Sequence, residues 1–271
     1  MNIAAIETFL AVYRTGHLNR AAGQLNITQS AVTARLDALE ARLGARLLIR
    51  SRKGAELTKA GYAFLQEAEL ITRSWEAAKA RLSLPRGVTR LCSLVVAPGL
   101  WTGLAAPWVE EMRADHPGTG FEVWTALAGD AARWLESGLS DAALLGSPLP
   151  GPDIASRLFA TDTLVQVASC SREMMDWDPD YVFVDHGPAF RARHAEAWPG
   201  EMTASLSFSD PGMAHAHLLA HGGSAYLPQA MVASDISANR LYRVKGSPIF
   251  TRETHLSWRK ASAAAFAWLA G

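Results

Sequence analysis

Three cations lie close together in the sequence at Arg50, Arg52 and Lys53. The short apolar runs on either side of the turn 51–54 predict two strands joined by a tight connection, which places these cations on a projecting hairpin. Cations on such a projection can bind the phosphates of a nucleic acid or enter a narrow minor groove. The chemistry indicated at this place is the binding of a polyanion.

Hydrogen-bonding side chains form a second group earlier in the chain. Thr28 is placed to cap a helix whose exposed first turn contains Gln29 and Ser30, with Thr33 one turn further along. The apolar residues of this helix form one stripe at helical spacing and are Val32, Leu36, Leu39 and Leu43. Amide and hydroxyl groups at the exposed start of a helix can pair with base edges in the major groove of DNA. This helix is therefore the predicted recognition element.

Two helices are predicted ahead of the recognition element. The first has apolar residues at helical spacing within 3–13 and stops at Gly16. The second is the short segment 18–25, in which Ala21 and Ala22 allow another helix to approach closely. Two helices joined by a tight turn, with hydrogen-bonding residues at the start of the second, form the geometry of a DNA-binding helix-turn-helix. An ordinary three-helix bundle with a solvated face is the alternative, and the basic hairpin that follows favours DNA binding.

The charges are distributed unevenly along a chain of 271 residues whose formal net charge is zero. Residues 1–61 contain nine Lys or Arg and four Asp or Glu, which leaves 17 basic and 22 acidic residues in the remainder. Only the first part is thus suited to a polyanion. The length and the apolar content of 49% predict two or three folded units. Because the N-terminal stretch is unlike a signal peptide and no segment approaches a membrane span, we expect a cytoplasmic location without membrane contact.

Residues 58–84 predict one long helix, which ends before Pro85. Its apolar residues are spaced alternately four and three apart, as in the seam of a coiled coil, and are Phe64, Ala68, Ile71, Trp75, Ala78 and Leu82. A lone helix cannot bury such a stripe within a small N-terminal unit, so we predict dimerisation through this helix. Packing of the helix on the second part of the same chain is the alternative. The segment 85–87 is the predicted hinge.

Strands and helices alternate after this hinge. Strands are predicted at 91–97, 121–127 and 141–146, and helices at 99–114 and 129–138. Alternation at such short spacing predicts a parallel sheet with flanking helices. The Pro- and Gly-rich segment 147–153 then marks a change of unit.

A second α/β lobe is predicted beyond that segment. Its strands are LVQVAS, YVFVD and SAYLP, and its helices lie near 188–197 and 210–220. The strand THLSW and an apolar helix at 261–269 are expected to return to the first lobe. The chain would therefore pass between the two lobes twice.

Side chains that could bind a metal or perform catalysis are few. Cys92 and Cys170 lie in apolar runs without paired spacing, which predicts buried, reduced thiols. His217 and His221 share a helix face at metal-ligand spacing near His215, but no neighbouring Cys or acid completes the set. The sequence contains none of the common catalytic motifs. It therefore predicts no metal, no cofactor and no enzyme, with a metal-dependent enzyme or sensor as an alternative.

A family resemblance is carried by residues 2–82. This part is similar to the N-terminal domain of LysR-type transcriptional regulators over IETFLAVYRTGHLNRAAGQLNITQSAVTARLDALEARLGARLLIRSRKGAELTKAG. RTGHLNRAA and SWEAAK resemble the branch of the family that contains the HdfR-type regulators. GLSDAALL, YVFVDHGPAFR and LLAHGGSAYLP resemble the effector-binding domain of the same family.

The resemblance implies an α+β, multi-domain protein. Its parts would be a winged helix-turn-helix DNA-binding domain rich in α-helix (1–61), a linker and dimerisation helix (62–86), and a two-lobed α/β effector-binding domain like the periplasmic binding proteins (87–271). Lobe 1 would comprise 88–148 and 247–271, and lobe 2 would comprise 149–246. The implied function is sequence-specific DNA binding and transcription regulation that responds to a small-molecule effector.

The partners that the resemblance implies are double-stranded DNA, an unknown small-molecule effector and RNA polymerase at promoters. The chain itself would form a homodimer or homotetramer. A DNA-binding, architectural protein with a C-terminal domain that does not sense a ligand is the alternative, because that domain is short for the family.

By the same resemblance, the start of the recognition helix contacts bases or phosphates and the hairpin contacts the backbone or the minor groove. Ala34 and Asp37 stand where the family often has basic residues, which transfers the expected phosphate contacts to cations elsewhere. The candidate DNA contacts are Arg20, Thr28, Gln29, Ser30, Thr33, Arg35, Arg50, Arg52 and Lys53.

Ligands of open α/β lobes bind at the carboxyl ends of the strands, where helix N-termini offer free amide groups. The candidate effector-binding residues selected by this rule are Gly99, Leu100, Trp101, Thr102, Gly129, Asp130, Gly146, Ser147, His186, Phe190 and Arg191. In the family, the loop that matches 99–102 commonly offers a Ser or Thr hydroxyl to a carboxylate, whereas this chain has Gly-Leu-Trp followed by Thr102. An aromatic or partly apolar effector is therefore favoured. Trp101 could line the pocket or belong to the core.

Overall fold

The computed structural model describes residues 2–51, 54–173, 178–199 and 204–271. The chain divides into two compact units, Met1–Ser83 and Leu84–Gly271. The elements of the first unit are α1 (Ile3–Thr15), α2 (Leu18–Leu25), α3 (Gln29–Leu43), β1 (Leu48–Ser51), β2 (Gly54–Leu57) and α4 (Lys59–Leu82). Those of the second are β3 (Arg90–Val96), α5 (Ala106–Asp115), β4 (Thr119–Thr125), α6 (Ala128–Ser137), β5 (Ala142–Leu145), β6 (Ile154–Ala168), β7 (Val182–Val184), α7 (Pro188–Ala197), β8 (Leu206–Phe208), α8 (Pro211–His221), β9 (Ser224–Pro228), α9 (Gln229–Ser237), β10 (Tyr242–Arg243) and β11 (Phe250–Arg259).

Local chemistry sets the ends of the first three helices. Gly16 ends α1 in the left-handed region at φ 69°, and Asn26 ends α2 in the same region at φ 52°. Thr28 accepts a hydrogen bond from the Ala31 amide at 3.2 Å and thereby caps α3. The tight turn of the predicted helix-turn-helix is confirmed, and caps fix it on both sides.

A buried carboxylate attaches the hairpin to α3. Oε1 of Glu40 accepts hydrogen bonds from the amides of Leu47 and Leu48 at 2.7 and 3.1 Å. β1 and β2 pair in antiparallel fashion with Ser51 opposite Gly54, so the predicted hairpin is confirmed. Since Glu40 is buried, its two amide partners replace the water that the carboxylate loses.

Close packing of α4 against the hairpin requires a residue without a side chain. A Cβ added to Gly61 would lie 2.1 Å from the carbonyl oxygen of Leu47. Thr58 accepts a hydrogen bond from the Gly61 amide at 2.9 Å, and its hydroxyl donates to the Arg46 carbonyl at 2.6 Å. The start of α4 is therefore fixed to the backbone of Arg46 and Leu47, directly before β1.

The predicted seam of α4 is divided between two environments. Phe64, Ala68 and Ile71 pack against the core of their own unit, and Ala68 is fully buried there. Three apolar residues of the second half of the helix are exposed, namely Trp75, Ala78 and Leu82. This corrects the assignment of the first three residues to a seam between chains, because α1 occupies the place of a partner helix.

One mixed sheet runs through the second unit. Its strand order is β10-β6-β11-β5-β3-β4, with β9 also paired to β6. The predicted parallel arrangement is confirmed for β3, β4 and β5. β6 and β11 are antiparallel to each other, and β9, β10 and β5 add to them in the same antiparallel sense.

Two apolar cores divide this unit into lobes. Leu94, Leu144 and Leu256 belong to the core of lobe 1, whereas Val165 and Leu227 belong to that of lobe 2. β6 and β11 contribute side chains to both lobes and pair with each other along their whole shared length. The chain therefore crosses between the lobes inside these two strands, beyond the positions 148/149 and 246/247 at which we had divided the lobes.

Three local features differ from the sequence prediction. The helix predicted at 99–114 begins only at Ala106, because Thr102 and Gly103 have non-helical backbone angles. The helix predicted at 261–269 consists of two short 3-10 turns, Lys260–Ala264 and Ala267–Leu269. Cys92 is buried as predicted, but Cys170 is exposed because it follows the end of β6.

We expect Gly61→Ala to lower the free energy of unfolding by more than about 2 kcal/mol, because the Leu47 carbonyl that it meets belongs to the backbone directly before β1. Urea unfolding followed by circular dichroism measures this change. Gly23→Ala in α2 is the matched control, since a Cβ there meets nothing within 4 Å and alanine favours helix by about 1 kcal/mol. Equal unfolding midpoints for the two variants would contradict the packing role of Gly61.

Candidate DNA interface and effector cleft

The exposed start of α3 holds four of the predicted DNA contacts. Gln29 and Ser30 are exposed, and Thr33 is half-buried one turn later. The Thr28 hydroxyl caps the helix and lies 2.9 Å from Ser30 Oγ. The two hydroxyls are therefore partly engaged with each other, and Gln29 supplies the exposed amide of this surface.

Arg50 is held against α3. Its Nη2 donates to Asp37 Oδ1 at 2.8 Å and to Glu40 Oε2 at 3.3 Å, and its side chain is 22% exposed. These ion pairs neutralise acidic groups of α3 close to the predicted DNA-binding surface. Arg52 and Lys53, the other predicted cations of the hairpin, lie outside the described residues.

Two further candidate cations lie on the helices. Arg20 is exposed on α2, and Arg35 is half-buried on α3 with Nη1 3.5 Å from Thr8 Oγ1. That distance is too long for a strong hydrogen bond. The hairpin is held beside the start of α2 by the Ala55 amide, which donates to the Gly16 carbonyl at 2.7 Å. The structure thus places α2, the start of α3 and the hairpin next to one another.

The loop after β3 joins the two lobes of the second unit by close contact. Gly99 has φ 78°, and a Cβ added to it would lie 2.6 Å from Cδ of Pro211 at the start of α8. Leu100 is buried in the core of lobe 1, and its role in a ligand pocket stays a prediction. Trp101 is 42% exposed and is not part of the core. Thr102 lies beside Gly212 at the start of α8.

The loops after β4 and β5 are more open. Asp130 pairs with Arg133 one turn further along α6, and both side chains are partly exposed. Gly129 has open space around its Cα, and Gly146 and Ser147 are exposed after β5. Because β3, β4 and β5 are parallel, these loops lie at the same edge of the sheet as the Gly99 loop.

His186 supplies a neutral imidazole on the side of lobe 2. Its Nε2 lies 2.8 Å from the Tyr226 carbonyl, which can only accept, so Nε2 carries the proton and Nδ1 is the acceptor. Burial lowers the pKa of His186 to about 4. Phe190 packs edge-on against its ring at 4.9 Å and is buried in an apolar cluster of lobe 2, and its role as a ligand contact stays a prediction.

An ion pair that was missed in the sequence lies between Gly99 and His186. Arg252 on β11 stands opposite Asp162 on β6, and its Nη2 donates to Asp162 Oδ2 at 2.6 Å. Nη1 of Arg252 lies 3.5 Å from the Gly99 carbonyl and 3.4 Å from His186 Nδ1. The structure therefore brings two predicted effector residues, one from each lobe, to one guanidinium group.

The sequence feature that could have indicated the ion pair between Arg252 and Asp162 is a charged residue inside a strand. The last strand was predicted to begin at Thr254, whereas β11 begins at Phe250 and includes Arg252. Arg191, which was predicted as a ligand contact, is exposed and pairs with Asp185 at 2.5 Å. Its partner differs from those of Arg252, and its role as an effector contact stays a prediction.

Histidines of α8 have structural partners. His215 Nε2 lies 2.7 Å from Asp235 Oδ2, and the rings of His217 and His221 are 4.9 Å apart. Within the described ranges, no three His, Cys, Asp or Glu side chains are grouped so that they could hold a metal ion. None of the helices that the structure describes combines the length and apolar character needed to cross a bilayer.

Comparison with known families identifies both units. Residues 3–62 match the bacterial regulatory helix-turn-helix protein of the lysR family, and residues 85–270 match the LysR substrate binding domain. The HTH-type transcriptional regulator HdfR of Yersinia enterocolitica is 28% identical over 240 residues, which are 84% of this chain and 82% of that protein.

Solved structures share the fold of the whole chain. CbnR, a LysR family transcriptional regulator, is 22% identical with a TM-score of 0.70 and coverage of 99% of this chain and 98% of its own. Full-length CbnR complexed with its target DNA has the same coverage, 20% identity and a TM-score of 0.68. Full-length LysG from Corynebacterium glutamicum with bound effector Arg is 20% identical with a TM-score of 0.54, and covers 100% of this chain and 95% of its own.

A winged helix-turn-helix unit, a long helix and a two-lobed α/β unit define a DNA-binding transcription regulator with a ligand-binding domain. The chain belongs to the LysR family of bacterial regulatory proteins. The family resemblance of its sequence is thereby confirmed, including the similarity to the HdfR-type regulators.

We expect acid to destabilise the second unit through His186. Its folded pKa of about 4 lies below the usual 6.5, so the unfolded chain binds a proton between these values that the folded chain does not. The stability contributed by neutral His186 is complete above pH 6.5 and is lost as the pH falls towards 4, by up to about 3 kcal/mol.

His186→Gln should flatten this decline, because the Gln amide can still donate to the Tyr226 carbonyl without titrating. Denaturant unfolding at half-unit steps between pH 7 and pH 4 measures the effect. His221→Gln, at an exposed histidine of the same unit, is the control and should follow the wild-type decline. The same pH profile for wild type and His186→Gln would contradict the burial of a neutral imidazole.

Proposed function

We propose that the protein acts as a dimer or higher oligomer that binds partly palindromic duplex DNA and regulates transcription in response to a small molecule. The observation that carries this proposal is the exposed polar start of α3 beside the hairpin, attached through buried Glu40. The HdfR regulators and the DNA complex of CbnR support it as relatives of known class. A chromosomal target implies action in the cytoplasm, with RNA polymerase as a partner at promoters and without an enzymatic step of its own.

Base recognition and phosphate binding would be made by different groups of residues. Gln29 can pair with a base edge such as that of adenine, whereas Arg20, Arg52 and Lys53 can bind phosphates. Arg35 and the hydroxyls of Thr28, Ser30 and Thr33 remain candidate contacts of α3. Arg50 serves chiefly to neutralise Asp37 and Glu40, so that α3 can approach the duplex without net repulsion.

Dimerisation would use the second half of α4. Trp75 is 48% exposed and Leu82 is 88% exposed, although both lie on the apolar stripe of the helix. A second copy of α4 could cover this stripe, which would place two recognition helices on one face of the duplex. Homodimer and homotetramer are both compatible with such a seam.

The effector would bind between the two lobes of the second unit. Gly99, Trp101 and Thr102 approach from lobe 1, and His186 lies in lobe 2. The loops with Gly129, Asp130, Gly146 and Ser147 extend the same edge, and Arg191 lies near the end of β7. LysG with its bound effector supports ligand binding as a property of such a fold.

Trp75→Glu is expected to weaken DNA binding at least tenfold, or by about 1.4 kcal/mol, because a charge in the α4 stripe opposes dimerisation. Sedimentation velocity and gel shifts with one duplex measure both properties on the same preparation. Ile249→Glu replaces another exposed apolar residue, in the second unit, and should change neither. A Trp75→Glu variant that sediments as the wild type would exclude this stripe as the interface.

Gln29→Ala is expected to cost about 1–3 kcal/mol at the specific site and little on scrambled DNA, because an amide reads a base edge. Arg52→Ala with Lys53→Ala should weaken binding to both duplexes and flatten the slope of log K against log salt by roughly one per lost phosphate contact. Competition binding at several salt concentrations tests both variants together. If Gln29→Ala lowers the affinity for the specific and the scrambled duplex equally, Gln29 does not recognise a base and the proposed division of roles is wrong.

A further inference from the structure

We propose that Met213, His217 and His221 on α8 form a binding site for a soft monovalent metal ion, namely Cu(I). The ligands would be the thioether sulfur of Met213 and one ring nitrogen of each histidine. This inference goes beyond the proposed function and does not depend on it. It would give the second unit a ligand of a different chemical class from an organic effector.

The three side chains follow one another along α8 at intervals of four residues. In an α-helix this spacing leaves the Cβ atoms of successive members about 5–6 Å apart on one face. The ring centroids of His217 and His221 are 4.9 Å apart. Since a bond from a metal to an imidazole nitrogen is about 2.0–2.1 Å long, one ion can bind both rings.

Solvent reaches this row of side chains. Met213 is 58% exposed, His221 is exposed and His217 is half-buried. The next row of the helix contains Ala216 and Ala220, which are also exposed and too short to cover the three groups. A methionine this exposed contributes little to a core, and its sulfur is available to a ligand.

The backbone that carries the row is held in place. Asp210 caps α8, and its Oδ1 accepts a hydrogen bond from the Met213 amide at 3.0 Å. The ring of His217 lies 5.7 Å from that of Phe208 at the end of β8. Leu218 anchors the opposite face of the helix in the core of lobe 2. An ion would therefore bind to a preformed helix face, without ordering of the chain.

The donor set selects the metal. A thioether is a soft, uncharged ligand that favours Cu(I), whereas Zn²⁺ takes four ligands in structural sites. Among the described residues, no third His, Cys, Asp or Glu is grouped with His217 and His221 to hold a metal. His215 is engaged elsewhere, with Nε2 2.7 Å from Asp235 Oδ2. Because Cu(I) is stable at lower coordination numbers, the three groups of one helix face are sufficient for it.

Cys170 is an exposed thiol that could compete for the same ion. It follows Ser169, whose Oγ accepts a hydrogen bond from the Gly223 amide at 3.2 Å just beyond the end of α8. A thiolate is a soft ligand as well, so binding by Cys170 has to be separated from binding by the proposed site. The parent protein for the test is therefore Cys170→Ser.

The full chain is titrated with Cu(I) under anaerobic, reducing conditions against a coloured Cu(I) chelator such as bicinchoninate. We expect Cys170→Ser to take up about one ion per chain. In this parent, Met213→Leu should weaken binding at least about tenfold, or about 1.4 kcal/mol. His217→Gln combined with His221→Gln should weaken it at least about a hundredfold. An equal concentration of Zn²⁺ should not displace the ion.

Met231→Leu is the matched control, because Met231 on α9 is half-buried against the core of lobe 2. It should bind Cu(I) like the parent. X-ray absorption at the copper edge gives a readout that a change of fold alone would not produce: Met213→Leu should remove the sulfur neighbour and retain the nitrogens. If the double histidine variant is unstable, Met213→Leu and His221→Gln alone, both at exposed positions, complete the test.

Four results would overturn the proposal. They are no uptake of Cu(I) by Cys170→Ser, uptake by the wild type that depends on Cys170, equal affinities of Met213→Leu and its parent, and displacement by equimolar Zn²⁺. Gel shifts without metal keep this outcome separate from the proposed function. All of these variants should bind DNA like the wild type, since DNA binding is assigned to the first unit.

Discussion

The antiparallel pairing of β6 with β11 is the constraint on which the second unit depends. β6 begins against the core of lobe 1 and ends in that of lobe 2, whereas β11 begins at Phe250 in a second apolar cluster of lobe 2 and ends in the core of lobe 1. A register slip by one residue would move Arg252 and Asp162 apart and place their side chains on opposite faces of the sheet. A buried ion pair adds little net stability, but an unpaired buried charge is strongly unfavourable, so the pair specifies the register.

The first unit depends on a comparable buried charge. Glu40 accepts two backbone hydrogen bonds from the hairpin and an ion pair from Arg50, which also pairs with Asp37. These contacts make the recognition helix and the hairpin one body. A shift of the hairpin would therefore carry α3 with it.

Periodicity and capping residues were sufficient to predict much of this fold. Gly16 and Thr28 set the helix ends where the sequence indicated, because a left-handed backbone and a cap are local properties. The division of the α4 stripe was not local: whether Ala68 faces α1 or a partner depends on how the helices pack. The predicted helix at 99–114 was shortened because the backbone angles of Thr102 and Gly103 are not helical.

In the candidate effector site, too, contacts between residues distant in the sequence could not be predicted from local patterns. The rule of strand ends selected the loop at Gly99 and His186, because it follows from the direction of the strands, and their role in effector binding stays a prediction. Arg252 lies in the middle of a strand, where the rule does not look, and its importance comes from pairing with a residue ninety positions earlier. Such a pairing is a property of the antiparallel register, which no local pattern encodes.

The weak contacts of Arg252 suit a responsive site better than strong ones would. A ligand shifts a conformational equilibrium only by the difference in its affinity for the two states. Gly99 and His186 come from different lobes and share one donor at long distances, so this contact holds the lobes together only slightly. A ligand acceptor bound to Nη1 would replace both of these acceptors at once. Because Asp162 keeps the guanidinium in place, the gain in free energy would be expressed in the relative position of the lobes.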